Sequence, residues 1–344
     1  MYRPTAKNEW WFCGTLTVQA LITIALEAYI LVEWELWVTP NITQVPVSYL
    51  VPIGMGILVF ACVYEVILAL DAIHNKNNIL LFAICVSNVC SNIFAVMRCI
   101  SMQNTTAGLF AGSAESIPAL VNSSWNVWPR IQPAEILVPV ITGLGTFVLW
   151  PCAYYLHREY SWAIYKCVHG SSEIRMRYLA YEIYLVLIKL DFYFLVGFII
   201  QYDLVDVHFN EPEYTLTMLI IPAAFVIMVL GIYFVQHERT FCMIPIVACY
   251  LGLIAYLLSR IIVLCGNGLR ANTAGKDMML LFAFVALAFT AATLVCAIIC
   301  MVNFNRGLKM VNMKRKDVAR ESYMMKGVEA DTSYQGRMSR ISLD

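Results

Sequence analysis

Long apolar runs alternate with short polar stretches along the first three hundred residues of the chain. Eight of these runs are long enough to matter: Trp11–Leu31, Tyr49–Leu70, Ile79–Cys99, Ile136–Leu156, Leu179–Ile200, Leu216–Val235, Phe241–Leu264 and Met278–Val302. A hydrocarbon core about 30 Å thick takes roughly 20 residues of α-helix to cross. Barrel strands would be shorter, at about 10 residues, and would alternate in polarity. The pattern therefore predicts an all-α integral membrane protein, a bundle of about eight transmembrane helices over residues 1–302. A largely disordered cytosolic tail is expected to follow over 303–344. Turn-forming stretches such as His74-Asn75-Lys76-Asn77-Asn78 and Cys265-Gly266-Asn267-Gly268 separate the runs. Ile100–Glu135 reads as the one long loop, rich in Gly, Ser and Asn.

Composition sharpens this reading. Of 344 residues 60% are apolar and 13% charged, whereas an ordinary soluble domain carries about 25% charged residues. The formal net charge is zero, which removes the broad basic field expected of a nucleic-acid partner. The implied partner is the lipid bilayer, and any small-molecule or protein partner stays unnamed. No cofactor or metal is called for, because neither HExxH nor HxxxH spacing occurs.

The distribution of Lys and Arg sets an expected orientation. With the N-terminus in the cytosol, fourteen basic residues close to the spans fall on the cytosolic side and three on the other. An N-in, C-in topology is expected. The sequons at Asn41, Asn104 and Asn122 then all lie on the lumenal side, with Asn122 the best acceptor. Cys99 and Cys265 are the cysteines at lumenal span ends, where a disulfide is permitted, although free thiols are the commoner state. Val51-Pro52-Ile53 and Ile221-Pro222-Ala223, Tyr64 and Tyr233, and Arg98 and Arg260 recur at similar places. These pairs suggest a parallel 4+4 pseudo-repeat.

Ionisable residues inside apolar spans are costly and mark candidate sites. Glu27, Arg98 and Arg260 share a depth near the lumenal ends, which permits a Glu27–Arg98 or Glu27–Arg260 pair; snorkelling of the arginines to the interface is the simpler expectation. Glu65 and Glu182 sit near the cytosolic ends. Lys189 and Asp191 lie close to the midplane of the fifth span. Two residues apart on a helix means about 200° of rotation, so each needs a partner on another helix or a water-filled cavity. Tyr184, Asp191, Phe194 and Phe198 share one stripe.

Three stretches carry a family resemblance. They are Trp37-Val38-Thr39-Pro40 with Pro46-Val47-Ser48; Tyr64-Glu65 through Asp71 with Lys76-Asn77; and Lys189-Leu190-Asp191-Phe192-Tyr193-Phe194. In these the chain resembles a fungal family of uncharacterised multi-pass Golgi apparatus membrane proteins, from the first span through Arg239. The resemblance implies a Golgi membrane address, with the plasma membrane as the alternative, and supplies no catalytic residues. Transport or cargo handling is the expected activity, with Lys189 and Asp191 on a polar path. Two alternatives stay open: a seven-helix receptor-like sensor, and an enzyme modifying lipids through cytosolic histidines such as His157 and His237.

Overall fold

The computed structural model describes residues 7–38, 46–115, 121, 122, 124–167, 172–207, 213–266 and 275–304. Asn41 and the tail beyond residue 304 lie outside the described residues. The chain forms α1 (Lys7–Trp37), α2 (Pro46–Asn75), α3 (Asn78–Glu115), α4 (Trp128–Cys167), α5 (Ser172–Gln201) followed by a π-helical turn (Tyr202–Val207), α6 (Glu213–Gln236), α7 (Thr240–Cys265) and α8 (Lys276–Val302). All eight contain an apolar segment long enough to cross a bilayer, the shortest being the 23 residues Tyr214–Gln236.

Each apolar run becomes a helix because a backbone in lipid must satisfy its own hydrogen bonds. Pro52, Pro222 and Pro245, and Pro133, Pro139 and Pro151 in α4, are all carried inside continuous helices. The segment read as one long loop departs from expectation. α3 continues to Glu115 and α4 starts at Trp128, so most of Ile100–Glu135 is helix. The buried residues Met102, Thr106 and Leu109 of this extension are spaced four and three apart, the rhythm of a packed helix face. Tertiary packing overrides the Gly, Ser and Asn content that argued for a loop.

Within the first four helices, α1 packs on α2 and α4, and α3 packs on α2 and α4. The same neighbour order recurs in the last four, where α5 packs on α6 and α8, and α7 packs on α6 and α8. α5 also touches α2 and α3, and thereby joins the two groups. Burial follows this plan. In the apolar segment of α5, 67% of residues are buried inside the protein, against 11% in α6, so α5 is the central helix and α6 faces lipid. Large apolar side chains such as Phe147, Phe241 and Ile262 point outward, where acyl chains receive them as well as a protein core would.

The α1–α2 and α3–α4 connections meet at one end. There Val38 and Val121 form an antiparallel bridge. The Trp37 indole N–H donates to the carbonyls of Asn122 (3.2 Å) and Trp125 (3.1 Å). Trp34, Trp37, Val121, Val127 and Ile131 pack together beneath it as a small apolar cap.

Candidate functional site: polar clusters and a cavity around the central helix

Four polar groupings lie within the apolar bundle. The first joins α1, α3 and α4. Arg98 donates to both oxygens of Glu27 (2.5 and 2.7 Å) and to Glu135 Oε2 (3.1 Å). All three side chains are buried, Arg98 at 5% exposure. Of the two pairs the sequence permits, Glu27–Arg98 is the one formed, and Arg98 does not snorkel. The planar guanidinium suits this bidentate geometry. Gly54 of α2 makes room for it, since a Cβ there would stand 3.2 Å from Arg98 Cδ. Glu135 escaped the sequence reading because it precedes the fourth apolar run. It lies on one stripe with Ile131, Val138 and Thr142, at spacings of four, three and four, and that stripe is fully buried.

The second grouping surrounds Glu65 of α2, at 1% exposure. Ser87 (3.1 Å) and Ser91 (2.8 Å) donate to Oε1, and Asn88 (2.7 Å) donates to Oε2. These donors lie on adjacent turns of α3. Polar contacts run on from there into α4: Thr146 donates to Asn88 Oδ1 (2.6 Å) and Thr142 to Asn92 Oδ1 (2.9 Å). The signal in the sequence is the repeat of Ser87-Asn88 and Ser91-Asn92 at a spacing of four.

The third grouping is the stretch 189–193 of α5. Lys189 Nζ bonds Asp71 Oδ2 of α2 at 2.5 Å. Asp191 Oδ1 accepts from Thr290 of α8 at 2.6 Å. Tyr193 OH meets Ser91 Oγ at 3.3 Å, and Tyr64 OH donates to the Lys189 carbonyl at 2.9 Å. The two charges thus face different helices, as their spacing requires. Glu182, one turn beyond Tyr178, accepts from that residue's hydroxyl at 2.6 Å. In the fourth grouping, Arg260 of α7 donates to Tyr202 OH (2.9 Å) and lies over the rings of Tyr202 and Tyr256. The fully buried Asp203 of the π-helical turn is also nearby.

A cavity of about 300 Å³ opens between α5, α6 and α7. Asp191, Phe192 and Leu195 line it from α5, Ala223, Ala224 and Met228 from α6, and Tyr250, Gly252 and Tyr256 from α7. Its walls are overwhelmingly apolar, with Asp191 their single charged group among the described residues. The volume is at the lower end of the range for small-molecule pockets.

The remaining candidates fall elsewhere. Cys99 and Cys265 are free thiols, so the permitted disulfide is not formed. Asn122 is exposed between α3 and α4, and Asn104 is exposed on α3 itself. His157 stacks edge-on against Phe82 and meets Ser161, while His237 packs on Tyr233. Among the described residues no group of three or more His, Cys, Asp or Glu could hold a metal ion.

No family model and no solved structure matches the chain. A UPF0658 Golgi apparatus membrane protein of Schizosaccharomyces pombe is 27% identical over 320 residues, covering 88% of this chain and 89% of the relative. The likeness thus runs well past Arg239, where the sequence motifs fade. The chain is a multi-pass membrane protein with the Golgi address of this relative, and it resembles the uncharacterised fungal Golgi family along most of its length.

Proposed function

We propose that this protein handles a small membrane-soluble ligand inside its helical bundle, as a transporter or carrier of the Golgi and secretory pathway. The observation that carries this reading is the cavity between α5, α6 and α7, with Asp191 in an otherwise apolar wall. A charge at the bilayer centre costs at least about 2.5–3.5 kcal/mol. Structural need does not account for that expense here, since Asp191 has no ion-pair partner among the described residues and one hydroxyl on α8 holds it. The Lys189–Asp71 pair, by contrast, joins two helices and serves as a structural tie between the halves. The recurring neighbour order of α1–α4 and α5–α8 supports a 4+4 plan, and the cavity lies within its second half. Arg98 and Arg260 also fall twenty positions from the first residues of α3 and α7.

The receptor-like alternative needs one of the eight helices to stay out of the bilayer, and none is too short to cross. The histidine-based enzyme lacks a gathered set of ligands among the described residues.

Gly252 supplies the test. It lines the cavity, and a Cβ added there meets nothing within 4 Å, so a side chain can start from this position and Gly252→Leu is chosen to occupy the space. The variant is expected to fold and reach the Golgi while losing the small molecules that co-purify with the wild type, as read by mass spectrometry of the protein in nanodiscs. Identical bound species in both proteins would remove the cavity from the mechanism.

A further inference from the structure

We propose that the α5–α7 cavity takes a primary amine carried on an apolar body, such as an alkylamine, with its ammonium group on Asp191. This rests on the ligand-handling reading above and adds the chemistry of the ligand.

The argument starts from the charge balance at Asp191, which is 3% exposed. A buried carboxylate needs a counter-charge or several donors. Thr290 donates to it, and that hydroxyl has one hydrogen to share between Asp191 Oδ1 and its own helix, since the Ala286 carbonyl stands 2.8 Å away. Lys189 cannot serve, because it faces α2 and is engaged with Asp71. Among the described residues no Lys, Arg or His lines the cavity. An anionic ligand would therefore meet Asp191 with nothing to offset the repulsion. A neutral ligand would leave the carboxyl to keep its own proton, so a cation is the ligand that uses its charge.

An ammonium group meets the requirement directly through charge-assisted N–H···O bonds. The rest of the wall fits such a cation. Tyr250 brings an aromatic ring, which attracts cations over its face, and a hydroxyl that can accept an N–H, whereas the Tyr256 ring already carries Arg260. Ala223, Ala224 and Gly252 leave space for an apolar body rather than filling it.

The full-length protein in nanodiscs of zwitterionic lipid is photolabelled with diazirine-bearing dodecylamine and, separately, diazirine-bearing dodecanol, and labelled peptides are mapped by mass spectrometry. Labelling of α5–α7 by the amine is expected, with unlabelled dodecylamine protecting about tenfold or more better than dodecanol. Asp191→Asn, which keeps an acceptor for Thr290, should reduce that protection to the alcohol's level. Protection by the amine that is equal to or weaker than protection by the alcohol overturns the amine assignment and leaves the cavity reading standing. Failure of both probes to label α5–α7 overturns both. Competition in the unmodified protein decides the matter even if Asp191→Asn fails to assemble, and Gly252→Leu should abolish labelling by either probe.

Discussion

A single arginine holds two carboxylates at Arg98, so the group carries more negative than positive charge when all three side chains are ionised. Removing the cation is therefore the severe change. Arg98→Ala leaves Glu27 and Glu135 buried without their partner, and a loss of about 3–5 kcal/mol is expected, read as a drop in midpoint on denaturant titration of the purified protein. Replacing all three charges together (Arg98→Met, Glu27→Gln, Glu135→Gln) should cost markedly less than the three single changes added, because no uncompensated charge remains. Simple additivity would show that the three groups do not act as a unit. This site was half legible in the sequence. Glu27 and Arg98 stand out inside apolar runs, and equal depth suggested the pair. Glu135 sits just outside its run, and the buried stripe of Ile131, Glu135, Val138 and Thr142 is hidden among Gln132, Pro133 and Pro139. Neutral donors such as Ser87, Asn88 and Ser91 raised no alarm, since membrane helices tolerate them cheaply.

At the scale of the element, α5 reaches α2, α3 and α8 through residues 189–193. Asp71 and Lys189 are partly exposed, so their attraction is screened and their coupling modest. Lys189→Glu or Asp71→Lys is expected to weaken the bundle by placing like charges together. The double exchange should recover about 1 kcal/mol of the combined loss, measured as a double-mutant cycle on thermal unfolding in detergent. Absence of recovery would mean that Tyr64 and the aromatic stack with Tyr193 hold α2 to α5 without help from this pair. The position of Lys189 was visible in the sequence because a cation amid Leu, Val and Ile is costly and needs a partner. Its partner was not, since Asp71 sits at the edge of the second run beside polar loop residues. Helix existence was legible throughout, because nothing shorter than a full apolar run can cross. Helix ends were not, because α3 and α4 continue on packed stripes rather than on uniform apolarity.

The whole molecule poses a question of sides. The charge distribution expects both termini in the cytosol, and eight crossings are consistent with that parity. The cap formed by Val38, Val121, Trp37 and Trp125 lies at the end where the α1–α2 and α3–α4 connections meet, and the same topology turns this end toward the lumen. Asn122 is the informative residue. It is exposed in that connection, its backbone N–H donates to the Trp37 carbonyl, and its side-chain oxygen already accepts from Ser124 in a local turn. Asn104, also exposed, is held within α3, where the chain is wound rather than extended. Glycan addition at Asn122 and not at Asn104 is therefore expected, seen as a mobility shift that a glycosidase removes and Asn122→Gln abolishes. A protease applied to sealed Golgi vesicles should cleave tags at both termini from outside. Cleavage of both tags together with a glycan at Asn122 requires an even number of crossings with the cap in the lumen. A protected N-terminal tag beside a cleaved C-terminal one would instead require an odd number, and one of the eight helices would have to leave the bilayer. The cavity between α5, α6 and α7 lies near mid-depth in either case. The topology thus leaves the proposed ligand unchanged, and the chemistry at Asp191 decides what that ligand is.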